Sequence, residues 1–359
     1  MIPIADPELG AAEQRAVEDV LESGMLADGP EVRSFEAAFA DYCGAAHGVA
    51  TSNGTTALHA ALVALGIGEG DRVLTTPFSF IATANAIRLA GAEPVFADID
   101  PTTYNLDPDA ARAVAKEESI DAIVVVHLYG LPADLEAFVD LAEELDVALL
   151  EDAAQAHGAV YHGDRVGSVG DAGCFSFYPT KNMTTGEGGM VVTDRADVTD
   201  RLERFVNHGR GGSGTYAHET VGHNFRLTSI GAAIGRVQLE RLPNFIEARR
   251  ANAARLTEGI SADGITTPVE PDGTTHVYHQ YTIRTADRDG LLSHLEANDV
   301  GAGVYYPTCI HDQPAYDGVD CSAPNAETAA EEVLSLPVHP NVSGTEIDHI
   351  VEVLNDYDN

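Results

Sequence analysis

The chain has 359 residues and is 44% hydrophobic, so it can bury a large core and is neither disordered nor fibrous. Twenty Lys plus Arg stand against 57 Asp plus Glu, a formal net charge of −37, which argues against partners made of nucleic-acid phosphate or anionic lipid. No run approaches the ~18 apolar residues of a membrane span, and the opening MIPIADPELG lacks the basic-then-apolar pattern of a secretory signal.

In chain order, short apolar runs alternate with helical periodicity. Strands are expected over His47–Ser52, Arg72–Thr76, Pro94–Asp98, Ala122–Leu128 and Ala148–Asp152, with helices Thr55–Leu65, Ile81–Ala90, Pro108–Glu117 and Asp134–Leu145 between them. Two further strands, Ala172–Tyr178 and Gly189–Thr193, follow each other too closely for a crossover helix, so local irregularity is expected there. A long amphipathic helix, Leu239–Glu258, leads into a second unit with a strand over Val277–Arg284, a helix near 287–298 and a strand near 302–306. The pattern is that of an α/β protein: a large layered domain over 1–245 and a smaller α+β domain over 246–359. There is no internal repeat.

Ligands of open α/β sheets sit beyond the carboxyl ends of the strands, and three strand ends carry polar residues. The first runs into Asn53-Gly54-Thr55-Thr56 at a helix start, where free backbone N–H groups and a hydroxyl suit a phosphate. A plain Asn/Thr helix cap reads the same way. The strand Ala148–Asp152 ends on a carboxylate that needs a cationic partner or donors if buried, unless it caps the next helix. The third end, Ser176-Phe177-Tyr178-Pro179-Thr180-Lys181, carries one of only two lysines, against 18 arginines. A lysine among apolar and aromatic residues has a depressed pKa and attacks carbonyls, forming a Schiff base. A solvated loop lysine is the bland reading; Lys116, in the polar run Ala115–Glu118, is the surface control.

A phosphate cradle, a carboxylate for a heteroaromatic cation and a lysine for an aldehyde are the three handles of pyridoxal 5′-phosphate. With the strings EDAAQAHGA and SFYPTKN, the chain resembles, nearly end to end, the DegT/DnrJ/EryC1/StrS sugar aminotransferases, which have the fold type I of aspartate aminotransferase. The resemblance implies a mostly parallel seven-stranded sheet and gives Lys181 the role of internal-aldimine lysine and proton carrier. It pairs Asp152 with the pyridine nitrogen, sets Gln155 near the ring hydroxyl, and assigns Gly54, Thr55 and Ser176 to the phosphate. Phe80 is the aromatic stacked on the ring, although Pro77 stands where the family often has a small polar residue. Asn224 reaches the phosphate of the neighbouring subunit in a homodimer with shared sites. Tyr306, His311 and His339 fall in segments that line the sugar site. The implied reaction moves an amino group from an amino acid, most often glutamate in the family, to a nucleotide-diphosphate keto-sugar.

Other signals point elsewhere and fail. Gly209–Gly214 fits GxGxxG but follows a helical pattern, so it is expected to be a loop over the active site and not a dinucleotide motif. The pairs His276/His279 and His218/His223 lack a third ligand at recognisable spacing, so no metal is expected. A desulfurase would need a mobile-loop cysteine, and none of Cys43, Cys174, Cys309 and Cys321 is evident as one. With no CxxC, they suggest a reduced intracellular enzyme without a disulfide framework. A regulator without turnover would not need the Lys181, Asp152 and Gln155 set. The carboxylates are spread along the whole chain, and such a surface repels itself unless salt shortens the Debye length to ~3 Å at 1 M. The composition is therefore read as that of a halophile's cytoplasmic protein.

Overall fold

The computed structural model describes residues 1–211 and 216–357. Strands β1 (His47–Thr51), β2 (Arg72–Thr75), β3 (Glu93–Phe96), β4 (Ala122–Val126) and β5 (Ala148–Asp152) come first. The two-residue strands β6 (Val160–Tyr161) and β7 (Asp164–Arg165) follow, then β8 (Ala172–Ser176) and β9 (Gly189–Thr193). One seven-stranded sheet has the order β1-β9-β8-β5-β4-β2-β3. Its pairings are parallel except that β9 is antiparallel to both β8 and β1. That reversal is the expected irregularity. Antiparallel neighbours need no crossover helix, and Ser176 pairs with Gly189 across it.

The central strand Ala122-Ile123-Val124-Val125-Val126 is buried throughout, because helices cover both faces of a parallel sheet. Its residues alternate between two cores: Ile123 and Val125 join Phe39, Phe138 and Phe175, while Ala122 and Val124 join Leu58, Leu62 and Ile87. The flanking helices are α1 (Ala11–Ser23), α2 (Pro30–Cys43), α3 (Gly54–Leu65), α4 (Ala82–Ala90), α5 (Pro108–Glu117), α6 (Leu135–Leu145) and α7 (Ala196–Val206). Helix α3 starts on the cap suggested by its sequence: Asn53 Oδ1 accepts from Thr56 N–H, and Thr56 Oγ1 accepts from Asn53 N–H.

Helix α8 (Ser229–Gly259) is ten residues longer at its start than expected and carries Pro243 inside it. Leu239 and Leu242 pack in the large core, while Ala253 and Leu256 pack in a separate one. The second unit holds β10 (Thr274–Thr275), which pairs with β6, and the antiparallel pair β11 (Tyr281–Arg284) and β12 (Val333–Leu336). Its helices are α9 (Arg288–Ala297), α10 (Pro324–Glu332) and α11 (Gly344–Asn355). Two strand expectations need correction. Residues 277–280 leave the ladder because Val277 and Gln280 donate their N–H groups to Gly130 and Tyr129. Near 302–306 there is only an isolated bridge, Gly303 to Ser335, beyond which Tyr305 and Tyr306 turn into a cavity. Ile2 belongs to the second core and pairs with Val300, so the first residues pack with the last third of the chain. Among the described residues, no helix is long and apolar enough to cross a membrane.

Candidate active site

A cavity of about 630 Å³ opens where β1, β4, β5 and β8 end. It gathers Gly54, Thr55, Phe80, Asp152, Gln155, Ser176, Lys181 and Tyr306, eight residues singled out in the sequence. The close approach of α3 to β8 requires glycine at 54: a Cβ there would stand 2.7 Å from Ser176 Cβ. Ahead of the capped Thr56, the amides of Gly54 and Thr55 have no partner within the helix and line the cavity with Ser176.

Asp152 ends β5 in a buried position. Its Oδ2 accepts from Thr83 Oγ1 at 2.8 Å and its Oδ1 from Ala154 N–H at 3.2 Å. Burial pushes the carboxyl above its ordinary range; those two donors and the nearby Lys181 charge only partly offset it. Lys181 lies in the irregular segment between β8 and β9, tied by its own N–H to Tyr178 carbonyl at 2.9 Å. Burial pulls its ammonium down to about 8, against the attraction of Asp152. The cavity thus opposes a carboxylate short of donors to an amine poised to lose its proton.

Gln155 is fixed at both ends. Its Oε1 accepts from Tyr129 N–H at 2.7 Å and its Nε2 donates to the Tyr306 hydroxyl at 3.0 Å. The Tyr129 hydroxyl donates to the Tyr305 carbonyl, closing a belt from β4 to the second unit. The Phe80 ring is 54% exposed and forms one wall, its centroid 6.0 Å from that of Tyr306.

Three expected residues do not line this cavity. Asn224 is exposed, outside the cavity of its own chain, and its Oδ1 accepts from Arg226 Nε at 3.0 Å. His311 sits on a turn held by Ile310 N–H donating to Pro77 carbonyl, and its ring lies toward Phe96 and Glu327. His339 donates from Nε2 to the Pro3 carbonyl at 3.0 Å, at the contact with the N-terminal segment. Neither histidine's placement follows from local sequence, because each is fixed by a partner far along the chain. Residues 212–214 of the GxGxxG-like loop lie outside the described residues.

Other residues of the site were missed. Thr83, three residues beyond Phe80, lies one turn beyond Ser79, whose hydroxyl it meets at 2.9 Å; no local signal aims it at β5, 69 residues away. Tyr129 follows the end of β4 and so was findable by the strand-end rule. His279, considered in sequence only as half of a metal pair, lines the cavity, and burial holds it well below its ordinary pKa.

The sequence profile of the DegT/DnrJ/EryC1/StrS aminotransferase family matches residues 7–355. A "Pleiotropic regulatory protein" of Geobacillus stearothermophilus is 41% identical over 350 residues, 96% of this chain and 93% of that protein. The dTDP-3-amino-3,4,6-trideoxy-alpha-D-glucose transaminase of Streptomyces venezuelae is 39% identical over 355 residues, 98% of this chain and 93% of that one. The crystal structure of S. venezuelae DesV in complex with a ketimine intermediate superposes with a TM-score of 0.93 at 39% identity, covering 96% of this chain and 94% of that one.

Enzymes of this family use pyridoxal phosphate, and the residues present fit it. Glycine at 54 keeps open a cradle of amides and a hydroxyl that a side chain would fill, Asp152 is short of donors, and Lys181 is a nucleophile in the same cavity. On profile, identity and fold together, the chain belongs to the DegT/DnrJ/EryC1/StrS aminotransferase family.

Proposed function

We propose that the chain transfers an amino group from an amino acid, glutamate, to a keto-sugar carried on a nucleoside diphosphate. Pyridoxal phosphate, when bound, supplies an electron sink for negative charge at the reacting carbon. The chain supplies the rest. Asp152, as an anion, holds a proton on the ring nitrogen facing it, and Thr83 and Ala154 fix the carboxylate for that task. The amides of Gly54 and Thr55 with the Ser176 hydroxyl bind the phosphate. Gln155 spends its carbonyl and one N–H on the protein, so its remaining N–H serves the ring hydroxyl. Phe80 would stack on the ring, and Tyr306, its centroid 6.0 Å from that of Phe80, would line the sugar side. Lys181 Nζ would carry the proton between the donor's α carbon and the cofactor carbon that was its aldehyde, a role suited to an amine pulled down to about 8.

The observation that carries this reading is Lys181 and Asp152 facing one cavity with their proton affinities drawn toward each other. Its test is turnover of nucleotide keto-sugars of the dTDP, UDP and GDP classes with glutamate, followed by 2-oxoglutarate release. Cofactor binding without turnover of any of them would favour a regulator.

We also propose that two copies share each site. Asn224 is exposed and lies outside its own cavity, and with its Oδ1 taken by Arg226 its amide N–H groups can serve a second copy's phosphate. Mixing Lys181→Ala with Asn224→Asp chains should restore about a quarter of wild-type activity once subunit exchange is verified, because half the dimers then hold one whole site. No recovery means that Asn224 does not act across the interface.

A further inference from the structure

Away from the cavity, one group among the described residues brings three metal-ligating side chains within 4.8 Å of one another: Cys309, His311 and Asp312. They occupy the short turn that precedes α10. Carboxylates abound in so acidic a chain, so Asp312 alone would mark nothing. The imidazole does. The His311 side chain is 7% exposed, its Nδ1 is buried without a partner, and its Nε2, the nitrogen turned toward the carboxylates, has only loose contacts, 3.6 Å to Asp312 and 3.4 Å to Glu327. A buried ring that makes no hydrogen bond is costly and rare in folded proteins. No arginine or lysine among the described residues pairs with either carboxylate.

We infer that Cys309 Sγ, the His311 ring and the Asp312 carboxylate bind a zinc-class divalent ion, with Glu327 or water in the fourth position. A thiolate, an imidazole and a carboxylate form the mixed S, N, O set that zinc accepts in tetrahedral geometry, whereas magnesium and calcium call for oxygen alone. Ligand atoms around such an ion stand about 3.5 Å apart. His311 and Asp312 already stand at that spacing, 3.6 Å apart, so only the wider separations within the 4.8 Å group must close, by at most about 1 Å. Asp312 and Glu327, 53% and 52% exposed, are free to swing by that amount.

The ion acts as a clamp and not as a catalyst. Ile310, inside the cluster's turn, donates its N–H to Pro77 carbonyl at 2.8 Å. The segment after Pro77 carries Ser79, Phe80 and Thr83, and Thr83 holds Asp152. Fixing the turn therefore fixes the cavity wall from behind.

The test uses holoenzyme stripped with a chelator and then titrated with zinc. One ion per chain is expected, with affinity at least tenfold lower in Cys309→Ser and in His311→Gln, and unchanged in the remote Glu144→Gln. Cobalt loading should give a thiolate-to-cobalt charge-transfer band in the difference spectrum, a signal that surface carboxylates do not produce. If His311→Gln fails to fold, Asp312→Asn, at an exposed side chain, replaces it. Equal zinc retention by wild type and Cys309→Ser, or a cobalt spectrum without that band, overturns the assignment.

Discussion

On β5, Glu151 and Asp152 are neighbours that face opposite sides of the sheet. Glu151 accepts from His127 Nε2 at 3.0 Å and from the N–H groups of Gly167, Val169 and Gly170 at 2.6, 2.8 and 2.8 Å. Asp152 accepts from one hydroxyl and one N–H. Both are buried, and burial raises both. At Glu151 the His127 hydrogen bond and charge and the backbone donors outweigh burial and hold the carboxyl below its ordinary range; at Asp152 they do not. A carboxylate with a full set of donors is structural. One left short is completed by a ligand, and that deficit marks the working face of the strand.

Removing the counter-charge on the working face should have the largest effect. Lys181→Ala is expected to abolish turnover, and borohydride treatment of wild-type holoenzyme should fix the cofactor on the peptide containing Lys181 and never on Lys116. Recovery of the adduct on Lys116 would break the assignment.

The paired test of the two carboxylates comes next. Asp152→Asn should slow turnover by on the order of 10², as the loss of a key electrostatic group does, while leaving stability level or slightly higher. Glu151→Gln should cost about 3 kcal/mol in urea unfolding, because three N–H donors then face an amide that cannot accept them all. If both variants lose the same property, the contrast between the two faces is wrong.

A smaller effect follows from Lys181. Its folded value near 8 lies below the ordinary 10.5, so the free-amine fraction rises with pH up to about 8 and then levels. Capture of pyridoxal phosphate by cofactor-free protein should quicken about tenfold between pH 6 and 7 and flatten above about 8. A profile still climbing at the same slope to pH 10 would place Lys181 in an ordinary environment. Last, with a net charge of −37, the thermal midpoint should rise by roughly 5 °C or more from low salt to molar potassium chloride. A flat or falling midpoint removes the halophilic reading.

Much of the large unit was legible because its strands are continuous apolar runs and its ligand groups sit where those runs stop. Asp152 ends β5, Gly54 follows β1, and Lys181 falls in the gap that β8 and β9 leave open. Contacts between distant segments were not legible. Thr83 reaches Asp152 across 69 residues, and Tyr129 reaches Gln155 across 26. The second unit was harder for the same reason: the Gly303 segment reads as a strand, yet the tie of Ile310 to Pro77 and the turn of Tyr306 toward Gln155 decide its course. His311 and His339 were assigned by resemblance of segment, and their partners far along the chain set them outside the cavity of this chain.

The docking of Ile2 has a mechanical consequence. The backbone passes between the two cores at least four times, because Val277 returns to the large core between Leu256 and Tyr278 of the second. One passage lies between Asp6, which bonds Asn341, and Glu8, whose carbonyl takes Gln238 from α8. Another lies within α8, between Leu242 and Ala253, and two more flank Val277. A body joined to another by one strap can swivel in any direction, but straps at several separate places hold it from several sides. Rocking of the second unit over the cavity is therefore resisted by the backbone itself, and the first seven residues are one of the straps.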